Sequence, residues 1–152
     1  MGLMARKAGV YGAKGVTAAM RELRRNITRP VDAAARKALR PILNAAKANT
    51  EHASVKKALV MKKDRKAPKT KPTHLVGGDP KNPDYRLLHL LEFGVAPHKI
   101  GDIQHPGHAA EPFLTPAYEQ HGAEAIRTFG RELGPVVEKD AARMAKKYAG
   151  KK

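Results

Sequence analysis

Apolar residues recur with helical spacing near the start of the chain. Val16, Met20, Leu23 and Ile27 share one face, and Arg21, Arg24 and Arg25 fall off it. Thr28-Arg29-Pro30 interrupts the pattern, and a second helix is predicted over 31–50 with Ala35, Ala38, Leu39, Ile42 and Ala46 as its stripe. Pro41 lies inside that helix and removes a backbone donor, so a kink or break is predicted there. A single long bent helix is the other arrangement that the pattern allows.

The period then shortens. Val55, Leu59 and Met61 predict one strand within 54–61, and Thr73 to Gly77 its partner. Residues 62–72 between them are basic and hold Pro68 and Pro72, which predicts the tip of a hairpin. A turn follows over 78–83. Tyr85 to Phe93 reads as a short helix ending at Gly94, a natural C-terminal cap. Residues 95–111, rich in His, Gly and Pro, read as a loop. Thr115 and Pro116 are placed as N-cap and first residue of a last helix carrying Tyr118, Ile126, Phe129 and Leu133. Gly134-Pro135 predicts a break in it, and a basic helical tail runs to Lys152.

The fold class that results is α+β. N-terminal amphipathic helices and a C-terminal helix pack on a small antiparallel β-sheet with a long basic hairpin loop. Residues 1–15 read as a flexible basic segment and 16–149 as one domain.

Composition sharpens this picture. Hydrophobic residues make up 41% of the 152, but aromatics only 5%, and there is no Trp. Much of the apolar content is Ala, which buries little area per residue. A core so thin points to help from neighbouring subunits. The formal charge of +16 implies a polyanion or an acidic protein surface as partner, or else a solvated basic face. With no Cys, disulfides, thiol nucleophiles and thiolate metal sites are excluded, which fits synthesis in a reducing cytoplasm. No apolar run approaches the roughly 18 residues of a membrane span, and the first residues carry no signal-peptide core.

Candidate chemistry is sparse. His98, His105 and His108 share one segment with Asp102 and Glu111, and three His with a carboxylate suit zinc. Their spacing matches no standard zinc motif, and ordinary hydrogen bonding is the simpler account. Ser54 is the only serine and stands in no nucleophile elbow. The acids are scattered over helices, so neither enzymatic activity nor a cofactor is expected. Lys62, Lys63, Arg65, Lys66, Lys69 and Lys71 in the hairpin, with Arg143, Lys146, Lys147, Lys151 and Lys152 in the tail, are candidates for phosphate contacts without base readout. No aromatic residue is interleaved to stack on bases.

Two segments carry something more specific. The first is His89-Leu90-Leu91-Glu92-Phe93-Gly94-Val95 and the second is Ala110-Glu111-Pro112-Phe113-Leu114-Thr115-Pro116-Ala117. In order and spacing they resemble the gene-product-ten-like family of neck and tail-completion proteins of long-tailed bacteriophages. The resemblance covers roughly residues 16–133, and departs from the family in a longer, His-richer segment 95–109 and in Val95, where Thr is frequent.

It implies a structural virion protein that forms a homo-oligomeric ring, by analogy a hexamer, in the neck between head connector and tail. Its partners would be head-closure or adaptor proteins and tail-terminator or tail-tube proteins. Genomic DNA would pass through the lumen without sequence recognition, and no membrane is involved. The protein would stand in the virion and, during assembly, in the host cytoplasm. Glu92, Phe93, Gly94, Pro112, Phe113, Leu114 and Pro116 are then the assembly motif. Read without the family, Glu92 pairs with a basic residue, accepts backbone N–H bonds, or is an exposed helix-end acid. Phe113 is core, an anchor at a subunit interface, or both, and the mixed role, with ring formation failing before the fold, is the expectation. The rival function is a non-specific DNA-binding protein acting through the basic loop and tail.

Overall fold

The computed structural model describes residues 13–68 and 71–149. Two long helices dominate, α1 (Ala13–Ala48, 36 residues) and α4 (Leu114–Tyr148, 35 residues). Between them come a short helix α2 (Ala53–Ala58), a hairpin of β1 (Leu59–Lys63) and β2 (His74–Gly78), a helix α3 (Tyr85–Phe93), and a smaller hairpin of β3 (His98–Ile100) and β4 (Ile103–His105). Each hairpin is its own two-stranded antiparallel sheet, which gives the α+β class.

α1 is one continuous helix, so of the two arrangements the pattern allowed the single long helix is realised; the interruption at Thr28-Arg29-Pro30 does not occur, and neither Pro30 nor Pro41 ends it. It begins at Ala13, inside the segment read as flexible; the rest of that segment, residues 1–12, lies outside the described residues. α4 likewise passes through Gly134-Pro135 without ending. An interior proline costs a helix about 3 kcal/mol, so tertiary packing must offset it. The antiparallel contact between α1 and α4 supplies that packing on both sides of each proline. Lys37 Nζ meets Glu132 Oε1 at 2.5 Å, and Lys147 Nζ meets Glu22 Oε2 at 2.7 Å. The step from Glu22 to Lys37 matches the step from Glu132 to Lys147, so one register holds along the whole contact. Tyr148 also donates its hydroxyl to Glu22 (2.8 Å). Exposed pairs of this kind contribute little stability and serve mainly to fix alignment.

Residues 53–58 are helical, not extended as their sequence suggested. The reason is the core. Val55, Ala58 and Leu59 are all buried, a spacing of three and four that one helical turn presents to one side. They join Ile42 and Ala46 of α1, Leu88 and Leu91 of α3, and Phe113 and Ala117 at the start of α4. The predicted hairpin is present, with Leu59 opposite Gly78 and Lys63 opposite His74. In its connecting segment, Asp64 N–H bonds Thr73 O at 2.8 Å and Lys71 N–H bonds Pro68 O at 2.8 Å, while Lys69 lies outside the described residues. The segment read as a loop over 95–111 contains β3 and β4. It is closed at its base by reciprocal bonds between Val95 and His108, both 2.8 Å.

Phe113 is the largest side chain buried completely, at 1% exposure, and its cover comes from its own chain. It is core rather than an interface anchor. Phe113→Ala is therefore expected to cost about 3–5 kcal/mol. In urea the unfolding midpoint should shift to lower denaturant. A variant whose unfolding midpoint is unchanged would contradict this placement.

Candidate functional site

The two segments that carry the family resemblance meet at one carboxylate. Glu92 sits in the last turn of α3 and is buried. Its Oε2 accepts the N–H groups of Phe113 and Leu114, both at 2.9 Å, and its Oε1 accepts that of Thr115 at 2.7 Å. A helix leaves its first N–H groups without partners inside the helix. Here Phe113 is the N-cap, Leu114 and Thr115 follow, and Pro116 has no N–H to satisfy. Glu92 thus settles every orphan donor at the start of α4 and sets a negative charge where the helix dipole favours one. The capping role assigned to Thr115 from sequence belongs to Glu92, and Thr115 and Pro116 are the second and third residues of the helix's first turn.

Burial pushes the Glu92 carboxyl up. The Thr115 side chain and the N–H groups of Leu114, Phe113 and Thr115 together outweigh that and hold it below the ordinary carboxylate range. Of the three readings open for Glu92, backbone acceptance is the one realised.

The approach of the two segments depends on Gly94. It ends α3 with φ of 71°, and a Cβ there would lie 2.8 Å from both Ala110 N and His108 O. Glu111 N–H then bonds Leu91 O at 2.7 Å, docking the returning chain on the end of α3. Gly107, with φ of 82°, allows a similarly close pass: a Cβ would sit 2.4 Å from Val95 O. Asn49, just past α1, donates Nδ2–H to Phe113 O at 3.0 Å. Glu111 is shared by His52 Nε2 (3.1 Å) and His108 Nε2 (3.3 Å). Contributions from the ends of α1, α2 and α3 therefore converge on the first residues of α4.

The remaining motif residues divide. Leu114 packs partly buried on the core, while Gly94 and Pro116 are half-buried. Pro112 and Phe93 are exposed, Phe93 at 66% with its ring 4.9 Å from that of His89. Only Phe93 and Pro112 are free to meet another molecule.

The three candidate zinc ligands are not brought together. His98 and His105 are cross-strand partners with rings 4.9 Å apart, whereas His108 turns to Glu111. Among the described residues no group of three or more such donors is arranged for a metal.

In the basic hairpin, Lys62 is paired with Asp79 and Lys63 Nζ with Asp32 Oδ2 at 2.6 Å. These two are neutralised within the chain, contrary to their reading as free phosphate contacts. Arg65, Lys66 and Lys71 are exposed and have no ion pair among the described residues. In the tail, Arg143 is paired with Asp140 and Lys147 with Glu22, and Lys151 and Lys152 lie outside the described residues. Sequence reasoning missed His74. Its side chain is 2% exposed, its ring nitrogens have no hydrogen-bond partner, and Asp32 Oδ1 stands 4.0 Å away. Burial pushes this imidazole down, against the pull of Asp32 and with the help of Arg36 and Lys63.

Comparison with models of known protein families, with characterised proteins and with solved structures returns no match. No described helix is long and apolar enough to cross a membrane.

Both depressed groups make acid destabilising, in separate windows. His74 is held neutral in the folded chain, so its contribution is complete above its ordinary value of 6.5 and declines as pH falls below that. The contribution of Glu92 is complete above its ordinary 4.5 and is lost as pH falls through its lower folded value. Glu92→Gln replaces an acceptor oxygen by a donor facing N–H groups, and is expected to cost about 2–4 kcal/mol at neutral pH. His74→Phe should flatten stability between neutrality and mild acid while leaving the lower step. Melting curves over a pH series check both, and a Glu92→Gln protein with the wild-type midpoint would remove the cap from the account.

Proposed function

We propose that this chain is a structural subunit of a tailed-bacteriophage virion. Copies of it form a ring in the neck, joining head to tail, through which the genome passes. The observation that carries the reading is the meeting of the two resemblance segments at Glu92. Residues 20 and more apart in sequence, which carry the likeness to neck and tail-completion proteins, are two halves of one cap.

The surface supports self-association. Tyr118 (63% exposed) and Ile126 (73%) line an apolar groove of about 270 Å³ along the α1–α4 seam, with Leu39, Ile42 and Phe129. Phe93, Ile100 and Ile103 add further exposed apolar area around the small hairpin. Contiguous apolar surface of this kind marks contact sites on otherwise polar proteins. The work of such a subunit is geometric, which fits a chain in which Glu92, the buried carboxylate among the described residues, accepts backbone donors.

The test is to delete the gene from the phage or prophage that encodes it and image the particles. Filled heads and finished tails that fail to join are the expected result. Normal virions lacking no component would overturn the proposal. The rival, a free DNA-binding protein, predicts absence from purified virions. In the isolated protein, Ile126→Glu should leave the melting temperature nearly unchanged, because the residue is exposed. The same variant should lose the oligomer seen by native mass spectrometry. A ring that survives this change would move the interface away from the seam.

A further inference from the structure

The excess charge of the chain is not spread evenly. On α4, Arg127 and Arg131 share Glu124 and Arg143 holds Asp140. On α1, Arg21, Arg24, Arg25, Arg29, Arg36 and Arg40 are all exposed, and none has an ion pair among the described residues. Five of the six follow steps of four, four, seven and four, which place them along one side of the helix. At 1.5 Å per residue the row from Arg21 to Arg40 is about 28 Å long. Asp32 falls between Arg29 and Arg36 in sequence, but Lys63 already occupies it at 2.6 Å. Glu22 is likewise taken by Lys147 and Tyr148. The fold neutralises the acids of α1 and leaves its arginines unmatched.

We propose that this arginine face is a docking surface for the phosphate backbone of duplex DNA, read without regard to sequence. Guanidinium forks match phosphate oxygens in pairs, and a straight row of them suits a regular array of anions. The length of the row approaches one turn of the double helix, about 34 Å. Single strands are a poorer fit, because no aromatic side chain stands among the arginines to stack on bases. A protein partner is a poorer fit as well. Interfaces between proteins centre on buried apolar anchors, and the exposed apolar residues of α1, Val16 and Met20, lie before the row begins. The inference deepens the proposed function by giving the passing genome a named contact, but the binding is a property of the free chain and needs no ring.

The experiment is fluorescence anisotropy of the full-length protein on a short labelled duplex of arbitrary sequence, over a series of salt concentrations. Arg25→Gln, Arg29→Gln, Arg36→Gln and Arg40→Gln combined should weaken binding about tenfold or more at moderate salt. The slope of log affinity against log salt should fall by about 3–4, since each phosphate contact contributes roughly 0.9. Arg127→Gln with Arg131→Gln, and Lys66→Gln with Lys71→Gln, are controls expected to change either quantity much less. Should the fourfold variant fail to fold, the pairs Arg25/Arg29 and Arg36/Arg40 changed separately should each produce about half of that fall in slope. The proposal is overturned if the folded arginine variants bind as the wild type does, or if the hairpin pair costs as much. It is also overturned if the wild type binds poly-glutamate but not duplex DNA at low salt. Light scattering on the same samples keeps the two proposals apart, since a failure to form rings with DNA binding intact counts against the neck reading alone.

Discussion

The fold turns on one carboxylate answering the open end of one helix. A helix of 35 residues ends in a cluster of unbonded N–H groups and the positive pole of its dipole. At the start of α4 Phe113 and Ala117 are buried and Leu114 partly so, which limits what water can supply there. Glu92 supplies the acceptors, and its position then constrains everything nearby. α3 must end beside α4. The chain between them must leave and return within a few ångströms, which the closed base at Val95 and His108 and the tight passes at Gly94 and Gly107 permit. Asn49 ties the end of α1 to the same point through Phe113 O. With α4 anchored there, its antiparallel course along α1 has one register, and the ion pairs at Lys37 and Lys147 lie where that register puts them.

Much of this was legible in the sequence, and the failures have a common origin. α3 and its glycine stop were read correctly because the apolar run, its length and the cap all agreed. The first hairpin was foreseen, but its first strand was begun too early, since residues 53–58 are helical. Val55 and Leu59 misled because a spacing of four belongs to a strand face and to a helix turn alike, and only the burial of Ala58 between them decides for the helix. Thr115-Pro116 looked like a helix start because the local rule for caps is strong. The true cap comes from 23 residues earlier, as the bond from Thr115 to Glu92 shows, and no local rule can see it. The prolines in α1 and α4 were given their intrinsic cost, while the packing that offsets it depends on two helices meeting across the whole chain.

The site residues divide along similar lines. Glu92 and Phe113 were singled out through a resemblance to neck proteins, and both prove to be parts of the fold's interior rather than surfaces offered to a partner. That outcome is physically reasonable: a short motif retained by a family is as often the joint that sets the shape of the subunit as the patch that touches its neighbour. The surfaces on offer lie elsewhere. Sequence reading named Tyr118 and Ile126 among the apolar residues of α4 without assigning them a face, and both are largely exposed. The charge was visible at once as a total. Its distribution was not, because pairing depends on which acids the fold brings to which bases. Lys62 and Lys63, the obvious candidates, are spent on Asp79 and Asp32, and the arginines of α1 are left over.

An exposed apolar seam and an unmatched cationic face on one small chain pose a single physical problem. Apolar area in water is unfavourable, and six like charges along one helix repel one another. Either can be relieved separately, by dimerisation at the seam or by counterions along α1. A closed ring of the kind proposed relieves the first by seam contacts repeated around the axis. It also converts the second from a liability into a property of the assembly, because rows of arginine about 28 Å long, one from each copy, then stand in fixed relation to a common axis. Duplex DNA carries roughly one phosphate charge per 1.7 Å of its length, so its field is cylindrical and indifferent to sequence. A surface made of repeated, sequence-blind contacts holds such a polymer without fixing it at any one base pair. In a channel that must let a genome slide, weak contacts that are the same at every register are more useful than strong contacts at one.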